Sequence, residues 1–396
     1  MERGCSGGQD LTVSALHGRT RRSGERARRP LYSSRFKMNF EIDPGFAWRS
    51  ADLDQNRSWI RVLDDRARTH LHRTFSLIQE PLEPLFDYRP EAFDLGPAAE
   101  TLAAALSDAK HRTGIALVRG LPREGLSEAQ FRLMSWVIGL HAGVARPQGK
   151  STQYLSAVRD AGNPYRTGTG RGYSSNAELD YHTDTADLVL LSCFNRAASG
   201  GMSIVTSSHA AWQTLVAERP ELSDWLRHPL AFSRQGEEAP DEGPYVIQPV
   251  FDSIGGRLFG RWNWNRMRSA QQIAGAPRLD AEHLKALEFF DQLLRRPDLA
   301  HSMWLEPGDL QIINSHSTVH SRTEFIDHTD PAMKRLLFRL WIAPADSPEL
   351  PDSWRDLYRS TLAGSVRGGL RGTEWDDRCR AFEARQARTH GLIVVD

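Results

Sequence analysis

Leu305-Glu306-Pro307-Gly308-Asp309-Leu310-Gln311-Ile312-Ile313-Asn314-Ser315-His316-Ser317-Thr318-Val319-His320-Ser321-Arg322 is the stretch on which the fold reading turns. Pro307-Gly308 is turn chemistry, and the short apolar run Leu310 to Ile313 that follows reads as a buried strand. Working outward, the same grammar recurs: Leu188 to Phe194, Gly200-Gly201, Ser203 to Thr206, Val246 to Phe251, Gly255-Gly256, Leu258 to Trp264 and Arg335 to Ile342. Short apolar runs punctuated by turn residues predict a β-sandwich or barrel. Helices decorate it. One is expected over Ala98 to Ala109, beside a strand Ile115 to Val118. Another follows the capping-box pair Ser127 and Gln130, with Phe131, Met134 and Ile138 at helical spacing, and a third runs from an N-cap at Asp280 through Leu284, Leu287, Phe290 and Leu294. The fold class is therefore mainly β with flanking helices (α+β). The absence of an internal repeat excludes solenoids and propellers.

The chain divides at composition changes. Residues 1–37 crowd Arg19, Arg21, Arg22, Arg26, Arg28 and Arg29 into a Ser- and Gly-rich leader with little apolar material. Disorder is the expectation there, with an organelle transit segment or a mis-assigned start upstream of Met38 as the two explanations. Residues 38–111 form an N-terminal extension packed on the core, residues 112–345 the β-rich core, and residues 346–396 a polar helical tail.

Fifty basic against fifty acidic side chains leave no net charge, so neither nucleic acid nor an anionic membrane surface is an expected partner. No apolar run reaches the roughly 18 residues of a membrane span. Cys5, Cys193 and Cys379 lie too far apart for a disulfide framework or a CxxC knuckle, which suits a reducing, cytoplasmic location. Self-association into a homo-oligomer is left open.

The chemistry-bearing residues lie beside the predicted strands. In Glu178-Leu179-Asp180-Tyr181-His182-Thr183-Asp184, a His and an Asp stand two apart just before the run Leu188 to Phe194. Extended chain projects such residues from one face, so both can meet one ion. A bare pair of this kind is more often solvent-facing. The second half of the site is His320, after the strand Leu310 to Ile313: two His and one carboxylate on a rigid β-framework form a facial triad with three open positions. His316 and His320 could instead make a zinc-hydrolase pair on a helix, but no Glu stands between them and the surroundings are strand-like. His316 is read as a supporting or structural histidine.

In Arg335-Leu336-Leu337-Phe338-Arg339-Leu340-Trp341-Ile342, alternation puts Arg335, Leu337, Arg339 and Trp341 on one face and the remaining apolar residues on the other. Two guanidinium groups on so apolar a strand reach solvent or meet anions. Beside the metal motif, an anion clamp is the better reading, because Arg grips carboxylates bidentately.

Residues 112–345 resemble the taurine dioxygenase-like (TauD/TfdA) family of Fe(II)- and 2-oxoglutarate-dependent dioxygenases. The resemblance rests on five motifs in the family's order: Tyr181 to Asp184 with Leu188 to Leu191, Ser199 to Ser203, Leu305 to Asp309, His320 to Phe325, and Arg335 to Trp341. It implies a double-stranded β-helix (jelly-roll) core and His182, Asp184 and His320 as iron ligands. Arg335 would pair with the distal carboxylate of the co-substrate. Ser203 stands where the family often has an assisting Thr, and Ser315 where a second Asn is common. The implied activity is oxidation, most simply hydroxylation, of a small polar molecule by O2, with 2-oxoglutarate decarboxylated to succinate and CO2. Asp184 argues against halogenation, since relatives that halogenate have a small residue there.

Substrate contacts are expected from Arg339, which suits a carboxylate, sulfonate or sulfate, and from Tyr173 and Asn176 just before the metal motif. Trp262 and Trp264, alternating on a predicted strand, either pack in the core or cage a quaternary ammonium. A non-catalytic metal-binding β-barrel is the competing reading, yet it would have no use for a clamp at Arg335.

Overall fold

The computed structural model describes residues 41–81, 83–163, 165 and 172–395. The Arg-rich leader lies outside the described residues. The described residues form one compact unit.

The strand Leu310–Asn314 sits at the centre of the largest sheet, hydrogen-bonded between Ile115–Arg119 and Leu188–Asn195. Beyond Leu188–Asn195 comes Leu336–Ala343, which carries both Val144–Arg146 and Leu155–Val158 on its far side. Ile60–Val62 adds a parallel strand beyond Ile115–Arg119. A smaller sheet has Ser203–Ser207 between Ala300–Met303 and Thr318–Arg322, all antiparallel.

The two sheets face each other, and strand alternation decides what lies between them. Ile115, Leu117, Val189, Ile313, Leu337 and Trp341 point inward from the large sheet and meet Val205, Met303 and Leu305. The alternate residues Leu188, Leu190, Ile312, Phe338, Leu340 and Ile342 face the other way, onto helices Ala98–His111 and Glu128–Ala142. All eight residues of Leu336–Ala343 are buried, as expected of a strand covered on both faces. Each large apolar side chain buried there contributes roughly 1.5–3 kcal/mol. The small sheet is covered by Ser208–Glu218 and Ala281–Leu294, through Ala210, Leu215, Leu287, Phe290 and Val319.

Local signals set these helices. Ser127 Oγ accepts from Gln130 N while the Gln130 side chain accepts from Ser127 N, a reciprocal capping box, and Asp280 caps Ala281–Leu294 by accepting from His283 N. Gly200 and Gly201 hold left-handed backbone, and a Cβ on Gly200 would lie 2.1 Å from the Glu324 carbonyl oxygen, so only glycine lets the two chains approach there.

Two expectations fail. Val246 to Phe251 is not one strand: Tyr245–Gln248 and Phe251–Ile254 are separate, pairing with Leu230–Ser233 and Arg257–Gly260. Leu258 to Trp264 is likewise broken. Its strand ends at Gly260, and Asn263 caps a helix Trp264–Ala270 by accepting from Arg266 N. Alternation therefore does not place Trp262 and Trp264. Their rings stack instead (centroids 6.1 Å, 22°), with Trp262 buried against Phe290.

The segment after Pro344 is helical over Asp377–His390, and it buries more than a polar helix would. Phe382 stacks on Phe86 and Trp136. Arg146 pairs with Glu383 at 2.7 Å, and the fully buried Arg367 pairs with Asp187.

Candidate metal and anion site

The pocket opens between the two sheets, and backbone pairing assembles it. His182 N donates to His320 O and His320 N to His182 O, each at 2.9 Å, so a single antiparallel bridge brings the two distant histidines face to face. Thr183 N donates to Trp262 O, fixing the next residue. Buried Arg261 donates to the Asp184 carbonyl at 3.1 Å and to Thr185 Oγ1 at 2.9 Å, anchoring the turn that presents the carboxylate.

A ligand atom from each of His182, Asp184 and His320 lies within 4.8 Å of the others. His182 Nδ1 donates to Asp180 O at 2.8 Å, which leaves Nε2 free to ligate. His320 Nε2 lies 3.8 Å from Asp184 Oδ2, and that oxygen accepts no hydrogen bond among the described residues. Burial, with the neighbouring His182, pushes the His320 imidazole down to about 3. Burial likewise lowers His182. For Asp184, burial works upward, but Arg339, His320 and His182 outweigh it and hold the carboxyl well below the usual range. Two neutral imidazoles and one carboxylate, converging within 4.8 Å, are a donor set of the kind Fe(II) takes in a facial triad.

Beyond the triad the pocket is cationic. Arg266, Arg322, Arg335 and Arg339 line it, against Asp184 as its carboxylate among the described residues. Glu237 matches Arg266 at 2.7 Å. Arg339 Nη1 lies 3.5 Å from Asp184 Oδ2 while its Nε donates to Gln148 Oε1 at 2.8 Å. Arg335 is 5% exposed and its Nη1 has no hydrogen-bond partner among the described residues. Burial pulls its guanidinium down to about 10. Arg322, brought down to about 9 by burial and then by the Arg335 charge, likewise has Nε and Nη1 without hydrogen-bond partners among the described residues. These are the features of an anion subsite, since burying unpaired charge is costly.

Ser203 lines the same end, though its hydroxyl donates to Gln311 Oε1 at 3.0 Å. Tyr173 lines the pocket under the Arg339 guanidinium, 5.5 Å from its ring centroid. Asn176, expected in the wall, is exposed and outside the lining, and its carbonyl accepts from Phe325 N. Trp262 and Trp264 are also absent from the lining, so packing accounts for them. His316 is remote from the triad: Nε2 bonds to Asp187 Oδ1 at 3.0 Å, in a buried cluster with Arg367.

The sequence reading passed over Arg322, Gln311, Gln148 and Arg261. The first two were within reach. Arg322 stands two after His320 on the same strand, and Gln311 is a polar residue at an inward position of an apolar strand. Gln148 and Arg261 reach the site from loops, which no periodicity marks.

A double-sheet β core with a His/Asp/His triad and buried guanidinium groups at its mouth defines a class, the non-haem iron oxygenases built on a jelly roll. The chain belongs to the taurine catabolism dioxygenase TauD, TfdA family, which matches residues 79–341. It is accordingly an Fe(II)- and 2-oxoglutarate-dependent dioxygenase, an oxidoreductase that uses O2 to oxidise a small molecule. It is similar to FR-33289 synthase of Streptomyces rubellomurinus, with 32% identity over 310 residues covering 77% of this chain and 91% of that protein. A taurine hydroxylase-like protein, SAT17, of Stachybotrys chartarum is 23% identical over 326 residues, 77% of this chain and 80% of that one. Among solved structures, an asparagine oxygenase with Fe(II), hydroxyasparagine and succinate shares the fold, with TM-score 0.53, 17% identity, and 72% and 93% of the two chains covered. The oxygenase OrfP with iron, succinate and hydroxyarginine also shares it, with TM-score 0.53, 12% identity, and 77% and 99% covered.

Proposed function

We propose that His182, Asp184 and His320 hold the Fe(II), that Arg335 takes the far carboxylate of 2-oxoglutarate, and that the substrate is a small organic anion. The observation that carries this is the convergence of three ligand atoms within 4.8 Å beside a buried guanidinium whose Nη1 has no hydrogen-bond partner among the described residues. When bound, iron and 2-oxoglutarate supply the oxidising chemistry, with O2 consumed and succinate and CO2 released.

The chain's own residues do the rest. The His182–His320 backbone bridge holds the two imidazoles in register, and Asp180 O fixes the His182 tautomer. Arg335 orients the co-substrate before reaction by neutralising its distal end, a placement effect. Leu191, Val189, Ile313 and Trp341 line the wall and exclude water. Arg339, in the lining beside Asp184 and over the Tyr173 ring, is the guanidinium left for the substrate, and it favours a carboxylate, sulfonate or similar group there.

No helix of the described residues is long and apolar enough to cross a membrane. Cys193 and Cys379 are buried free thiols, which supports the cytoplasmic reading.

The test is succinate release from 2-oxoglutarate by purified protein with Fe(II), across a panel of small acids, amino acids and betaines. Turnover should be stimulated by an anionic member, abolished in His182→Ala and strongly reduced in Arg335→Ala. Turnover indifferent to both substitutions overturns the assignment.

A further inference from the structure

We propose that Arg322 is the second arm of the co-substrate clamp, and that it ties the distal carboxylate of 2-oxoglutarate to the pocket wall at Ser175–Ala177. This rests on the oxygenase reading above. Arg322 lies on the strand that carries His320, two residues further and on the same face, and its Cα pairs across the sheet with Ser203. Its guanidinium is 5.0 Å or less from the ring centroid that Arg335 also uses: Arg322 stands 4.7 Å and Arg335 5.0 Å from the centre of Phe325. The two cations thus lie near one aromatic ring at the same end of the pocket.

The donors of Arg322 divide into two sets. Nη2 donates to Ser175 O at 2.7 Å and to Ala177 O at 2.6 Å, holding the segment that leads from Tyr173 to the metal motif. Nε and Nη1 are buried with no partner among the described residues, although Arg322 is 4% exposed. No carboxylate pairs with it among the described residues within ion-pair distance. A buried guanidinium with two of its three nitrogens unpartnered is costly in the unloaded protein, and an anion that takes one of these donors and Arg335 as well lowers that cost. A single carboxylate has two oxygens with lone pairs enough for both arms. Because Nη2 holds residues 175 and 177, an anion on a remaining donor also fixes the wall against which the substrate packs.

The experiment compares 2-oxoglutarate with 2-oxobutyrate, which keeps the metal-binding end and lacks the distal carboxylate. Binding is measured anaerobically with Mn(II) in place of Fe(II), by tryptophan fluorescence or calorimetry. Wild-type protein should prefer 2-oxoglutarate strongly. Arg322→Gln should reduce that preference by about tenfold or more, the loss expected when a charge-assisted hydrogen bond is removed from a buried site, while 2-oxobutyrate and Mn(II) affinities stay unchanged. Arg322→Lys, which keeps the charge without the planar fork, should lose an intermediate amount and serves if the Gln variant does not fold. In wild-type protein, 2-oxoglutarate but not 2-oxobutyrate should slow amide hydrogen exchange in residues 172–178.

A preference unaltered by either substitution, or exchange at 172–178 slowed equally by both ligands, overturns the proposal and leaves Arg322 a support for the wall alone. If wild-type protein shows no preference for 2-oxoglutarate and Arg335→Ala changes nothing, the oxygenase assignment itself has failed. That outcome is separate from loss at Arg335 with none at Arg322.

Discussion

Arg367→Met should destabilise the protein by about 3–5 kcal/mol at neutral pH, the cost of breaking a buried ion pair from one side. Arg367 has no exposed side chain, and it donates to both oxygens of Asp187, at 2.5 Å from Nη2 and 3.1 Å from Nε. The Asp187 carboxyl is itself buried, with only His316 Nε2, at 3.0 Å, as a further side-chain partner among the described residues. Met fills most of the volume, so what is lost is chiefly the compensation of a carboxylate that cannot reach water, with the weaker donations from Nη1 to Thr361 O and Leu362 O. The sign with pH follows. In the wild type, burial works upward on Asp187, but Arg367 and His316 hold its carboxyl well below the usual range. Its contribution is present above the unfolded value near 3.9 and is lost as pH falls through the lower folded value. Without Arg367 the folded carboxyl titrates at higher pH, so the variant recovers by protonation as pH falls. The gap should be widest near pH 7 and narrow toward pH 5, measured by urea unfolding of both proteins. A loss under about 1 kcal/mol, or one equal at the two pH values, refutes the reasoning. Since Asp187 O accepts from Ser315 N and the turn from Asp184 leads into it, the variant should also bind metal more weakly.

Further consequences follow from single contacts. Burial raises Asp309 to about 6, although Glu306 N donates to its carboxylate. A raised acid stabilises the fold most below its unfolded value, and that contribution is lost as pH rises from about 4 through 6. Asp309→Asn keeps an acceptor for Glu306 N and should flatten this part of the pH profile, read as melting temperature from pH 4 to 8; an unchanged slope contradicts it. Mn(II) at about a hundred times its Kd should stabilise wild-type protein by about 2.7 kcal/mol and leave Asp184→Ala unmoved, and stabilisation of both would place the metal elsewhere. Gly200→Ala should lower the melting temperature by several degrees, because its Cβ would lie 2.1 Å from the Glu324 carbonyl in a backbone with φ +68°; a neutral result would mean the two segments part easily.

Legibility in the sequence tracked periodicity. Leu188–Asn195, Leu310–Asn314 and Leu336–Ala343 were visible because a strand buried on both faces is a run of apolar residues with turns at its ends. The helices capped by Ser127 and Asp280 announced themselves by side chains that accept from their own first turn. Leu258 to Trp264 misled because composition cannot distinguish a strand from a strand end followed by a cap. Asn263 decided it by bonding to Arg266 N and bridging His182.

The order of chemistry-bearing residues along the chain, and the common face of Leu337, Arg339 and Trp341 on Leu336–Ala343, were determined by sequence alone, since both depend on neighbours within a few positions. Which of them meet was decided by tertiary structure. The backbone bridge that joins His182 to His320, the pairing of Arg322 with Arg335 around Phe325, and the turning of Asn176 to solvent depend on segments far apart in the chain. The burial that leaves Nη1 of Arg335 and Nε and Nη1 of Arg322 without hydrogen-bond partners among the described residues likewise exists only once two sheets have closed over them, because local sequence carries no record of what will exclude the water.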